Sequence, residues 1–161
     1  MKRLSKKIFQ LFHNSGMTLA TAESCTAGAI AKAIVETAGA SAYFKGGIVS
    51  YTNEVKEKLL GVNHEVLETQ TAVCEEVARE MVIGACASLN ADYAVAATGL
   101  AGPGGGTEAI PVGTIFIACG RKDRVVVRRL QQDLGRAQNL KHATAEALQL
   151  IIDFFDEEKC K

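Results

Sequence analysis

The sequence predicts an α/β fold, a single-domain α/β/α sandwich in which a mixed sheet carries a late antiparallel hairpin. Three observations lead there. Helical and strand periodicities alternate from Leu4 to Gly99. Residues 91–99, ADYAVAATG, make a nearly continuous apolar run, the pattern of a strand buried on both faces. Two further strands then follow with only a turn between them, which is the signature of a hairpin. A chain of 161 residues can bury a substantial core as one unit, and 1–161 is read as one domain without repeats or linkers.

Each element has its own signal. Leu4, Ile8, Leu11 and Phe12 recur at helical spacing, and Asn14-Ser15-Gly16 stops that helix. A strand over Thr18–Ala22 follows, then an alanine-rich helix over Thr26–Thr37 with Ile30, Ala33 and Ile34 on one side. Its small side chains suit close packing on a sheet. Tyr43–Tyr51 reads as a strand with an irregularity at Gly46-Gly47. Asn53–Leu60 reads as a short helix closed by Gly61. Val73, Val77, Met81, Val82 and Ala85 mark a long amphipathic helix ahead of the 91–99 strand. A glycine-rich loop spans Gly99–Thr107. The hairpin strands are Val112–Cys119 and Arg124–Leu130, joined by Gly120–Asp123. Leu140, Thr144, Ala147, Leu148, Ile151 and Phe155 give the last helix its apolar face.

Composition removes several classes of function. Lys plus Arg and Asp plus Glu both total 18, whereas a nucleic-acid binder carries a basic surplus to neutralise phosphates. The locally basic RKDRVVVRR (121–129) is read as an exposed strand, and no nucleic-acid partner is expected. The 5 cysteines are odd in number and show no CxxC pair, so reduced thiols in the cytoplasm are expected rather than a disulfide framework. The start, MKRLSKKIFQLFHNSG, is too polar for a signal peptide, and no apolar run approaches a membrane span. The histidines at 13, 64 and 142 lack metal-ligand spacing, so no metal site is expected.

Chemistry gathers at loops that the scaffold sets at strand ends, where open α/β sheets bind ligands. TAESCTAG (21–28) joins a strand to a helix and offers Ser24 and Thr26 as competing caps, which frees one hydroxyl for other work. Unpaired N–H groups at a helix start suit a developing oxyanion. A serine nucleophile needs a base, and no histidine lies in a strand-end loop. Lys56, in SYTNEVK (50–56), serves if burial lowers its pKa; otherwise it is a solvated helix residue. Cys25 is a chemical rival to Ser24, although adjacent residues point in different directions, and a buried apolar role fits it better. The loop glycines at 99, 102, 104, 105 and 106 free backbone N–H groups to form an anion nest, or else form a mobile connector. The loop lacks the GKS or GKT ending of a P-loop.

Taken in this order, TAESCTAG, GGIVSYTNEVKEKLLGV (46–62) and ATGLAGPGGGTEAIPVGTIFIA (97–118) resemble the CinA C-terminal domain family over about residues 4–155. The resemblance implies a cytoplasmic, cofactor-independent homo-oligomer that hydrolyses the carboxamide of nicotinamide mononucleotide in pyridine nucleotide salvage. It implies Ser24 as nucleophile and Lys56 as general base, with Tyr51 beside them in the catalytic group. Asn53 and Thr98 fall on motif positions lining the site, and Gly99, Gly102, Gly105 and Thr107 on the substrate loop. Glu23 and Thr26 flank the nucleophile, Glu23 to orient the serine turn rather than to donate protons.

The chain departs from the family pattern in places. Ala27 stands where the family has glycine, a change that a helix should tolerate, and Ile110 where a lysine often precedes PVGT. Before the last helix the family reads GDR with a second arginine four residues on, whereas this chain reads DLGRAQNLK. Arg136 matches the first arginine, Gly135 replaces the aspartate, and Leu140 takes the second arginine's place beside Lys141. That region motivates two alternatives: a non-catalytic nucleotide-binding or interaction domain on the same scaffold, and an amidase for another small amide.

Overall fold

Among the described residues, 1–160 of a computed structural model, five strands form one mixed sheet. They are β1 (Leu19–Glu23), β2 (Phe44–Val49), β3 (Tyr93–Gly99), β4 (Thr114–Arg121) and β5 (Arg124–Gln131), and their order across the sheet is β2-β1-β3-β4-β5. The first three are mutually parallel; β4 runs antiparallel to β3, and β5 to β4. Six helices cover the sheet: α1 (Lys2–Phe12), α2 (Ala29–Val35), α3 (Asn53–Leu60), α4 (His64–Gln70), α5 (Glu75–Ser88) and α6 (Arg136–Lys159). The expected sandwich and its closing hairpin are both present.

The period-two pattern of the strands sorts the core into two layers. Leu19, Tyr93, Val95, Ala97, Ile115 and Ile117 face the side covered by α1, α2 and α6, where bulky residues such as Phe12, Leu148 and Phe155 fill the space. The opposite face of the same strands is nearly all alanine, namely Ala20, Ala22, Ala94, Ala96 and Ala118. So flat a face lets α5 lie close, with Val77, Met81 and Val82 in contact. Gly84 of α5 continues that logic, because a Cβ there would collide with the Leu60 backbone.

Several boundaries differ from the sequence expectation. α2 starts at Ala29 rather than Thr26, because residues 25–28 form a turn with Ala27 and Gly28 at positive φ (49° and 95°). Ala27 therefore stands in a turn, not in the helix that was expected to tolerate it. α4 was not expected; Asn63 caps it by accepting from the N–H groups of Glu65 and Val66. The irregularity in β2 is a register step, Leu19 pairing Phe44 and Ala20 pairing Gly46, which leaves Lys45 over. Gly47 then faces Thr21, whose side chain occupies the place of a Cβ.

The topology fixes where a ligand can sit. From the carboxyl end of β1 the chain passes through α2, on one face, to β2. It returns through α3, α4 and α5, on the other face, to β3 on the far side of β1. The carboxyl end of β1 is thus a topological switch point, with a crevice between connections that leave in opposite directions. Because β4 and β5 reverse direction, the loop between β3 and β4 and the start of α6 come to that same end.

Candidate active site

Ser24 is the first residue beyond β1 and sits at the switch point. Its N–H donates to the Ala97 carbonyl (2.9 Å), while Ser50 N–H donates to the Glu23 carbonyl (2.8 Å). The three parallel strands thus hold the turn from both sides. Glu23 is 1% exposed, and its carboxylate accepts from three N–H groups: Gly28 and Ile30 at 3.0 Å and Ala31 at 2.8 Å. The carboxylate, not a hydroxyl, therefore caps α2, which answers the competition expected between Ser24 and Thr26. Neither side chain caps the helix, and Ser24 Oγ is left free for Lys56.

Lys56 arrives from the other connection. Thr52 caps α3 by accepting from Val55 N–H (3.4 Å), which places Lys56 one turn into the helix and facing the sheet. It is 1% exposed. Its Nζ donates to Ser24 Oγ at 2.9 Å and to the Ser50 carbonyl at 2.8 Å. No carboxylate lies within ion-pairing distance of it among the described residues. Burial disfavours the ammonium form, so its pKa is lowered from the usual lysine range. The neighbouring Cys25 opposes this only in part, and burial pushes its own thiol up to about 12. An amine poised to lose its proton, next to a hydroxyl, is the arrangement that activates a weak nucleophile.

Ser24 and Lys56 open onto a cavity of about 250 Å³. Of the residues expected at the site, Tyr51, Asn53, Thr98, Gly99, Gly102 and Arg136 line it with them. Tyr51 and Arg136 stand on the exposed rim, where Arg136 Nη2 is 3.4 Å from the Tyr51 hydroxyl and Nη1 donates to the Gly102 carbonyl at 2.8 Å. The Thr98 hydroxyl is taken up by the Ala72 carbonyl (2.7 Å), so Thr98 fixes the wall formed by Ala72 and Val73. Gly99 has no room for a side chain, since a Cβ would strike Ile115 and the Thr114 carbonyl.

Other expected residues fall outside the cavity. Gly105 and Thr107 are exposed further along the loop, where Thr107 accepts from Ile110 N–H (3.0 Å) and closes a local turn. Thr26 is buried on the opposite side of the serine turn, in a hollow between α2 and α6, and its hydroxyl has no partner among the described residues. Glu23 lies beneath the turn, bonded wholly to α2. Lys141 lines the hollow beside Thr26, and Leu140 packs against the core, so neither supplies the second arginine's charge. Cys25 does line the cavity, contrary to the expectation that only one of two adjacent residues would.

Sequence reading missed the Ala72–Val73 wall and Asn139, whose buried amide ties the glycine loop to α6. A positive φ of 66° at the β-branched Thr71 marks where the wall turns, but nothing in the sequence announces it. A larger hollow of about 680 Å³ between α1 and α6 is lined by solvated lysines and aspartates and lies away from Ser24 and Lys56. His64 pairs with Glu57 at 2.9 Å. No cluster of three or more metal-ligating side chains occurs among the described residues, and no helix there is long and apolar enough to cross a membrane.

Comparison with known proteins follows this geometry. The model of the CinA C-terminal domain matches residues 1–155. The nicotinamide-nucleotide amidohydrolase PncC of Escherichia coli is 43% identical over 152 residues, covering 94% of this chain and 92% of that protein. A CinA-like protein of Mycolicibacterium gilvum is 46% identical over 138 residues, 85% of this chain but 33% of that longer protein. Among solved structures, the competence/damage inducible protein CihA from Agrobacterium tumefaciens superposes with a TM-score of 0.91 at 39% identity, over 94% of this chain and 93% of that one. With the match spanning nearly every element that builds the cavity, this chain belongs to the CinA C-terminal domain family.

Proposed function

We propose that this chain is an amidohydrolase that converts nicotinamide mononucleotide to nicotinic acid mononucleotide and ammonia through a Ser24–Lys56 dyad. The observation that carries the reading is the 2.9 Å contact between a lysine 1% exposed and a serine hydroxyl at the switch point of the sheet. The name of the 43% identical Escherichia coli relative supports the substrate class.

The steps follow from the geometry. Neutral Lys56 takes the Ser24 proton as Oγ bonds to the carboxamide carbon, and the carbonyl oxygen becomes an oxyanion. Among the described residues the N–H groups of Cys25 and Thr26 donate to no carbonyl; they face the weakly accepting Cys25 thiol, and turned to the substrate they receive that charge. Protonated Lys56 then gives its proton to the leaving nitrogen, the C–N bond breaks, and ammonia departs from an ester on Ser24. Water attacks that ester while the amine, neutral again, takes its proton; Ser24 is released with a proton and the acid product leaves. One lysine thus serves as base and then acid in both halves. The positive pyridinium ring draws electrons from the carboxamide, and Arg136 with the glycine-loop amides holds the phosphate.

A purely binding domain on this scaffold would need neither the desolvated amine nor its contact with Ser24, and the geometry favours catalysis. We place the reaction in the cytoplasm, in pyridine nucleotide salvage, by a homo-oligomer whose mass light scattering would measure. The decisive assay is ammonia release from nicotinamide mononucleotide by wild type, Ser24→Ala and Lys56→Ala. Release by wild type alone is expected, and equal rates in all three would overturn the dyad.

A further inference from the structure

Asn139 stands in the first turn of α6 and is 3% exposed. Its Nδ2 donates to the Ala101 carbonyl and to Asp133 Oδ1, both at 3.1 Å, and its Oδ1 accepts from Leu134 N–H at 2.9 Å. Asp133 Oδ1 in turn accepts from Gly135 N–H at 3.1 Å. One buried amide therefore joins the segment before α6 to the wall of the cavity. Arg136, in the same helical turn, holds the next carbonyl, that of Gly102.

Two consecutive carbonyls of the glycine loop are thus drawn toward α6. A planar trans peptide points its N–H opposite to its C=O. Drawing the Ala101 carbonyl toward Asn139 directs the Gly102 N–H away from α6. No acceptor among the described residues takes that N–H, and Gly102 lines the cavity. A fixed N–H without an internal partner, next to a guanidinium, is a donor prepared for an anion.

We propose that Asn139 is a positioning residue, which holds the Ala101–Gly102 peptide so that the Gly102 N–H receives the phosphate of the substrate. The idea rests on the proposed activity for the identity of the phosphate-bearing ligand, but its physical content is an anion donor that can be examined without turnover.

The full chain labelled with nitrogen-15 is titrated with inorganic phosphate while the Gly102 amide resonance is followed in wild type, Asn139→Asp and Asn139→Ser. Asn139→Asp keeps the acceptor for Leu134 N–H and so preserves that contact of the helix start. In wild type the Gly102 amide should exchange as an unbonded amide when free, and become protected and shift with phosphate. Either variant should need about ten- to hundredfold more phosphate, the worth of a hydrogen bond to a charged group. Protection of Gly102 in the free protein, no response to phosphate, or an unchanged response in a folded variant would each overturn the proposal. In kinetics, KM for nicotinamide mononucleotide should rise by the same factor with kcat held, while KM for the nucleoside lacking the phosphate stays put. A merely structural role would lower stability and affect both substrates alike. The titration needs no turnover, so its outcome is separate from that of the ammonia assay.

Discussion

Lys56 Nζ lies 2.9 Å from Ser24 Oγ although the two residues are 32 apart in sequence. Each stands just beyond one of two adjacent parallel strands, β1 and β2, and the strands bring them together at one end of the sheet. The contact is dry on the lysine side and, among the described residues, has no carboxylate partner, which is the ground for proposing Lys56 as a base.

Substitutions at Lys56 separate charge from basicity. General acid–base catalysis contributes about 10²–10⁴-fold, so Lys56→Ala should lower kcat/KM by that factor. Lys56→Arg keeps a cation but not a base, because a guanidinium does not deprotonate in proteins. It should be as inactive as the alanine variant. Steady-state ammonia release on both checks this, and an active arginine variant would mean that Lys56 acts only as a charge.

The direction of the Lys56 shift gives a pH prediction. Burial lowers its folded pKa, and in the proposed mechanism only the neutral amine takes the Ser24 proton. kcat/KM should therefore rise with pH through that folded value and level off above it, below the usual lysine range. The stability sign follows from proton counting. Between the folded and unfolded pKa values the unfolded chain binds more protons, so stability rises with pH across that window. Lys56→Met should lose this rise. Denaturant midpoints of both proteins from neutral to alkaline pH test it, and a wild type that weakens relative to the variant across that window would contradict the lowered pKa of Lys56.

Apart from α4, the order of elements and the glycine-rich loop were legible in the sequence because period, glycine and capping signals are local. The apolar run at 91–99 could be read as a doubly buried strand since both faces of β3 meet helices. What was lost depended on tertiary partners. α2 was started three residues early because alanine-rich sequence does not reveal that Ala27 and Gly28 take positive φ. Ser24 and Thr26 looked like caps, and only the fold shows Glu23 reaching under the turn to do that work. Motif order placed Gly105 and Thr107 with the substrate loop, but the chain leaves the cavity after Gly104 and turns locally between Thr107 and Ile110. Asn139 could not be singled out, since its tie to the glycine loop is a contact with Ala101, 38 residues away in sequence.

Glu23 offers a direct measure of that capping. A buried carboxylate facing three N–H groups is stable because every donor points at an acceptor. Glu23→Gln puts an NH₂ among those donors and leaves at least one N–H without an acceptor, for about 1–3 kcal/mol. Urea midpoints should fall accordingly, and the serine turn should loosen, lowering kcat more than KM changes. A variant as stable as wild type would show that the three contacts are dispensable.

Two neighbours in the serine turn separate backbone strain from packing. Ala27 is exposed at φ 49° and Gly28 is at φ 95°. An L residue in the left-handed region costs about 1–2 kcal/mol, and glycine's extra chain entropy offsets about 0.5–1 kcal/mol of the gain from replacing it. Ala27→Gly should therefore stabilise the protein by about 0.5 kcal/mol, which is a Tm rise of about 1–2 °C for a chain of this size. Gly28→Ala should do the reverse by about 1 kcal/mol or more, even though a Cβ there meets nothing closer than Val49 Cγ2 at 3.8 Å. Calorimetric scans of the two variants decide it. Opposite signs are required, because backbone conformation, not packing, distinguishes the two sites; a shift in the same direction would mean that the turn relaxes out of the left-handed region.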